Sequence, residues 1–222
     1  MRAFASAIVI AALTTLPGCA PEPDYGGPSE SESESSGPLV AFYGDSYTLG
    51  TGATDRSARW STIIANDREW REFNPSVNGL GFVNNRQQYA GDDLPGLIIA
   101  EQPDIVFVTM GLNDNFSYSR AADRIQDQIS LDLHRLADEL PDARLIVVEP
   151  FWYQDERPAS VEIIIGWVRA AAREVDADYI AGASRWIEGH PEWMAADGLH
   201  PNDDGYAEMA RRMDEALSAI GL

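Results

Sequence analysis

The chain has 222 residues, 45% of them hydrophobic and 9% aromatic, which is enough for one domain with a packed core and too little for two full ones. Its 36 acidic residues outnumber the 16 basic ones, all of them arginine, for a formal charge of -20. Such a field repels polyanions and no basic stripe offers a phosphate footprint, so a nucleic-acid partner is excluded, while the single cysteine excludes an intramolecular disulfide.

Residues 1–18 read as an export signal, with Arg2, a mostly apolar run over 3–13 and small residues ahead of Cys19. The run is too short to cross a bilayer comfortably. Leu16, Pro17, Gly18 and Cys19 resemble the lipobox of a bacterial lipoprotein. That resemblance implies cleavage before Cys19 and lipid attachment to its sulfur, the competing reading being a plain secretory peptide with an incidental cysteine. Residues 19–38 are dominated by Ser, Glu, Pro and Gly, lack any periodicity that could bury an apolar face, and are expected to be a disordered, solvated tether. The expectation is therefore a domain over 39–222, held outside the cytoplasm on the cell membrane by its lipid anchor or, failing the anchor, secreted.

Within the domain, the apolar run 39–43 ends at a glycine and predicts a buried strand. Spaced apolar residues over 58–70 predict a helix, 73–77 a second strand, 93–101 a short helix and 104–109 a strong strand. Ile125, Ile129, Leu133, Leu136 and Leu140 recur at helical spacing over 123–140, where Pro141 stops the helix. A strand at 144–148, a helix over 159–175, a brief strand at 178–181 and a final amphipathic helix over 201–220 complete the order. Strands alternating with helices predict an α/β fold, a central parallel sheet wrapped on both faces with functional residues just beyond the strand C-termini.

Three polar clusters fall at those edges: Gly44-Asp45-Ser46, Gly111-Leu112-Asn113-Asp114 and Asp197-Gly198-Leu199-His200. A serine hydroxyl needs a base to become a nucleophile, and His200 is the expected base. Asp197, three residues earlier, is placed to hold the imidazole in one tautomer. Asn113 offers N–H donors to charge that develops on a carbonyl oxygen, and the N–H of Ser46 with that of a loop glycine would complete an oxyanion hole.

These segments, together with a glycine in Asn78-Gly79-Leu80-Gly81, resemble the four sequence blocks of the SGNH (GDSL-type) hydrolase family, in that family's order and across nearly all of 39–222. The resemblance implies a three-layer, flavodoxin-like α/β/α fold. It implies Ser46 as nucleophile, His200 as base, Asp197 as its partner, and an oxyanion hole from Ser46, a block-two glycine and Asn113. Gly81 is the expected glycine because a loop and polar residues follow it, with Gly79 as the alternative. Tyr47 stands where an aliphatic residue often follows the serine. The implied activity is an extracytoplasmic serine esterase acting on a small, acetyl-carbohydrate or lipid ester through an acyl-serine; the rivals are an acyltransferase on a surface glycan and a catalytically silent surface binding module.

An α/β-hydrolase elbow would need glycine at position 48, where the chain has Thr48. A dinucleotide fingerprint is missing after Gly44. His134 and His190 lack metal-ligand spacing, so no metal and no cofactor are expected, and the partners expected are an ester substrate and a membrane, for a monomer. Phe151, Trp152, Tyr153, Trp186 and Trp193 are more readily read as packing than as pocket lining.

Overall fold

A computed structural model describes residues 36–88 and 93–222. The export signal, Cys19 and nearly all of the tether lie outside the described residues. Five parallel strands, β1 (Leu39–Tyr43), β2 (Arg71–Phe73), β3 (Ile105–Val108), β4 (Arg144–Val148) and β5 (Asp178–Ile180), form one sheet in the order β2-β1-β3-β4-β5. The three central strands, β1, β3 and β4, are buried on both faces, which is why they read as continuous apolar runs rather than alternating ones.

The period-two geometry of the strands still sorts their side chains. Val40, Phe42, Phe107, Ile146 and Val148 face one layer, made by α2 (Trp60–Asp67) and α6 (Asp203–Ala219) through Trp60, Ile64, Tyr206, Met209, Met213 and Leu217. Ala41, Tyr43, Val106, Val108 and Val147 face the other layer, formed by α3 (Leu94–Glu101), α4 (Tyr118–Glu139) and much of α5 (Ala159–Glu174). Ile125, Ile129, Leu133 and Leu136 of α4 are fully buried, each worth roughly 1.5–3 kcal/mol relative to exposure. The expected three-layer fold is thus present. A four-residue helix, α1 (Ser46–Leu49), follows β1 directly and has no counterpart in the sequence reading.

Two elements depart most from expectation. β2 ends at Phe73 instead of running over 73–77: Asn74 turns its amide to Thr48 O and Ser61 Oγ, and Pro75 has no N–H to give a ladder. α4 begins five residues before position 123 because a first turn precedes a kink at Ala121, whose φ is −145°.

The strand order also fixes where a site can form. From β1 the chain goes outward to β2 on one side and then to β3, β4 and β5 on the other, so the crevice beyond the C-termini of β1 and β3 is the topological switch point of the sheet. The loop after β2 is held to the far layer by a buried polar knot. Arg86 reaches Asp132 Oδ1 at 3.0 Å and Oδ2 at 2.5 Å, the Tyr43 hydroxyl donates to the same carboxylate at 2.7 Å, and Asp93 pairs with Arg86 at 3.0 Å. No helix among the described residues is long and apolar enough to cross a membrane.

Candidate active site

Ser46 is the first residue of α1, immediately beyond β1 at the switch point. Asp45 caps this helix, its Oδ1 accepting the Tyr47 N–H at 3.0 Å, which satisfies one of the amides a helix start leaves unpaired. The Thr48 and Thr109 hydroxyls, 2.6 Å apart, join the turn after β1 to the end of β3. The Ser46 segment is therefore seated by capping and by its neighbour strand, which a four-residue helix needs because it cannot sustain itself.

The opposite wall is the loop before α6. Asp197 Oδ1 accepts the N–H groups of Leu199 at 2.9 Å and His200 at 3.0 Å, and Oδ2 lies 2.7 Å from His200 Nδ1. The His200 backbone N–H, the His200 ring and the Leu199 N–H together pull the Asp197 carboxyl down to about 2. It is ionised at neutral pH and can only accept, so Nδ1 carries the ring proton and the Nε2 lone pair faces Ser46 Oγ, 3.0 Å away. What this carboxylate adds to stability is present above its ordinary pKa and is lost as pH falls toward 2.

The loop is closed on itself by the Ala195 N–H to His200 O bond at 2.8 Å and by a Met194–Pro201 bridge. Asn202 then caps α6, accepting the Gly205 N–H at 3.0 Å. Because Asn202 fills the cap, the His200 ring is left for Ser46. Gly52 lets the chain after α1 pass under this loop, since a Cβ there would lie 2.4 Å from Pro201 O.

Asn113 follows β3 at the start of a 3-10 turn over Asn113–Ser117. Its Nδ2 donates to Leu80 O at 3.0 Å and, more loosely, to Asp45 Oδ2 at 3.2 Å, so the amide group is fixed between the nucleophile cap and the loop after β2. Gly81, the glycine expected to give its N–H to the oxyanion, has that group engaged. Its N–H donates to Asn84 O at 2.9 Å, and a Cβ at this position would come within 2.6 Å of the Asp114 carboxylate. Gly81 is there for close approach: Asp114, fully buried, accepts the N–H groups of Phe82, Val83 and Asn84 at 2.7, 2.8 and 3.1 Å, and only a residue without a side chain fits against it. The Gly79 and Ser46 N–H groups, by contrast, have no acceptor among the described residues.

The Asp114 anchor carries no sequence signal beyond a polar residue after Asn113. Phe151, Trp152 and Trp186 pack in the core, while Tyr153 and Trp193 lie partly buried against it. No three His, Cys, Asp or Glu side chains converge as metal ligands among the described residues.

Burial pushes the Asp45 carboxyl up to about 7, with the nearby Asp114 charge acting in the same direction. A carboxyl that binds its proton more tightly folded than unfolded makes stability fall as pH rises between the two pKa values. Asp45→Asn is expected to flatten this dependence, its urea midpoint changing less than the parent's between about pH 5 and about pH 7.

A doubly covered parallel sheet that presents serine, histidine and aspartate in hydrogen-bonded sequence at its switch point defines a serine hydrolase. The chain belongs to the GDSL-like lipase/acylhydrolase family, whose model matches residues 42–208. It is 27% identical over 191 residues to a GDSL lipase of Mycobacterium tuberculosis, covering 81% of either chain. It is 26% identical over 186 residues to thioesterase 1/protease 1/lysophospholipase L1 of Escherichia coli, covering 82% of this chain and 84% of that one. Among solved structures, the psychrotrophic esterase EstA of Pseudoalteromonas sp., inhibited by monoethylphosphonate, superposes with a TM-score of 0.65 at 14% identity, over 82% of this chain and 98% of that one. The protein is accordingly a serine carboxylic ester hydrolase.

Proposed function

We propose that the protein hydrolyses a small or carbohydrate-linked ester outside the cytoplasm, through an acyl intermediate on Ser46. The observation that carries this reading is the unbroken chain from Asp197 through His200 to Ser46, with separations of 2.7 and 3.0 Å. Nε2 takes the hydroxyl proton as Oγ attacks the carbonyl carbon, and the imidazolium so formed is held by the ionised Asp197. The proton then passes to the leaving alcohol, and water attacks the acyl-serine by the same path in reverse.

Negative charge on the tetrahedral oxygen is received by the Ser46 N–H, the Gly79 N–H and the Asn113 amide, which gives up its looser 3.2 Å bond to Asp45 Oδ2 while Leu80 O keeps it in place. Gly79 is favoured over Gly81 because its N–H is uncommitted and its segment is pinned beside the nucleophile. Val77 N–H donates to Gly44 O at 3.3 Å, the Thr51 hydroxyl donates to Asn78 Oδ1, and Gly79 O accepts from the Asn84 and Asn85 amides, each at 2.9 Å. Asn113→Ala is expected to lower kcat by about 10²–10³ with little change in KM, measured on p-nitrophenyl acetate. A comparable rise in KM with kcat intact would assign Asn113 to substrate binding instead.

The preference for an exposed ester rests on the compactness of residues 39–222, which leave little chain for a lid. The export signal, lipobox and tether support an anchored site facing outward. Three measurements test the reading. The soluble domain, incubated with p-nitrophenyl acetate and longer-chain esters, is expected to turn over the short esters fastest, and a phosphonate ester should leave one mass adduct on the peptide containing Ser46. Mass spectrometry of the membrane fraction should find a diacylglyceryl group on Cys19; a mature, soluble chain that starts at another residue would overturn the anchor.

A further inference from the structure

The residue after the nucleophile spans the whole site. Tyr47 is fully buried, its ring stacks on Phe151 with centroids 5.7 Å apart and planes 17° apart, and its hydroxyl donates to Leu199 O at 2.7 Å. Leu199 is the residue before His200, and its own N–H is held by Asp197. Apart from the Ser46–His200 contact itself, this is the sole hydrogen bond between α1 and residues 197–200 among the described residues. The backbone of Tyr47 is equally committed: its N–H goes to Asp45 and its carbonyl accepts the Trp60 indole N–H at 3.0 Å. A rigid ring, fixed at its base to the nucleophile turn and at its face to Phe151, thus ends on the peptide that carries the base.

We infer that Tyr47 is a positioning residue for catalysis, a strap whose hydroxyl sets the His200 loop at the height that brings Nε2 to Ser46 Oγ. The inference rests on the acyl-serine reading of this site. The loop needs such a tie because the other hydrogen bonds across the cleft, from the Thr54 N–H and hydroxyl to Asp203 and from the Tyr206 hydroxyl to Thr51 O, engage α6 and leave 197–200 unheld from the α1 side. Asp197 has half its side chain exposed, and the Ala195–His200 and Met194–Pro201 contacts close the loop without joining it to α1. An aliphatic residue at position 47 could fill the space beside Phe151 but could not donate to a carbonyl. Burial holds the Tyr47 hydroxyl protonated well above its ordinary range, so the donor persists through any working pH.

The decisive comparison is Tyr47→Phe, which removes one oxygen and keeps the ring. Assayed on p-nitrophenyl acetate far below its unfolding midpoint, with near-UV circular dichroism confirming the folded state, it is expected to lose about tenfold in kcat while KM stays within about twofold. In a His200→Ala background the same change should have no further effect on residual turnover, because there is no base left to position. Parental kcat in Tyr47→Phe, or an equal loss in both backgrounds, would overturn the strap and leave Tyr47 as packing. Ser46→Ala is run alongside. If it turns over like the parent, the hydrolase reading of Ser46 falls and the strap with it; if it is inactive while Tyr47→Phe is unaltered, the strap alone is lost.

Discussion

Ser46→Ala is expected to lower turnover of p-nitrophenyl acetate by about ten-thousandfold or more while leaving the fold intact. Among the described residues the hydroxyl makes one hydrogen bond, to His200 Nε2, so its removal takes away the attacking atom and little else. Ser46 is nearly buried, and the small methyl of alanine fits its place on α1 without disturbing the Asp45 cap, whose acceptor serves the Tyr47 N–H. Circular dichroism and the thermal midpoint should therefore match the parent, and the variant should take no phosphonate adduct. Parental turnover in this variant would move the chemistry to another residue.

His200→Ala is expected to fall to a similar level, because an unactivated serine is a poor nucleophile at neutral pH. Combined with Ser46→Ala it should fall no further, since the two groups act as one unit and their losses do not add. Imidazole supplied in solution should restore part of the turnover of His200→Ala and none of that of Ser46→Ala. The vacated ring position opens to a loop whose acid partner is half exposed, so a small base can enter. Additive losses in the double variant would mean that Ser46 and His200 serve separate steps.

The layered fold and the triad were legible because each left a local trace. Buried parallel strands must be apolar runs, and α4 repeats its apolar residues at 3.6-residue spacing. Asp197 and His200 sit within one tight turn, so their partnership could be read from three residues of separation. What was not legible depends on residues far apart in sequence. α1 is four residues long and owes its existence to Asp45, Thr109 and Trp60, not to any periodicity. Gly81 reads as an oxyanion donor because glycine, loop and polar residues coincide there; its close approach to the Asp114 carboxylate, over thirty residues away, gives no hint in the spacing. Tyr47 likewise meets Leu199 across 152 positions. The polar contacts that tune the site are long-range, and a linear pattern records only short-range ones.

The placement of the base on the loop before α6 also bears on when the enzyme becomes an enzyme. Ser46 lies just after the first strand and His200 just before the last helix, 154 residues apart. A chain emerging N-terminus first displays its nucleophile early, yet that hydroxyl stays inert until α6 docks against α2 and carries the 197–200 loop into place. Reactivity is thereby tied to completion: an unfinished chain has a serine but no base to take its proton, and it gains one only when the final helix closes the site.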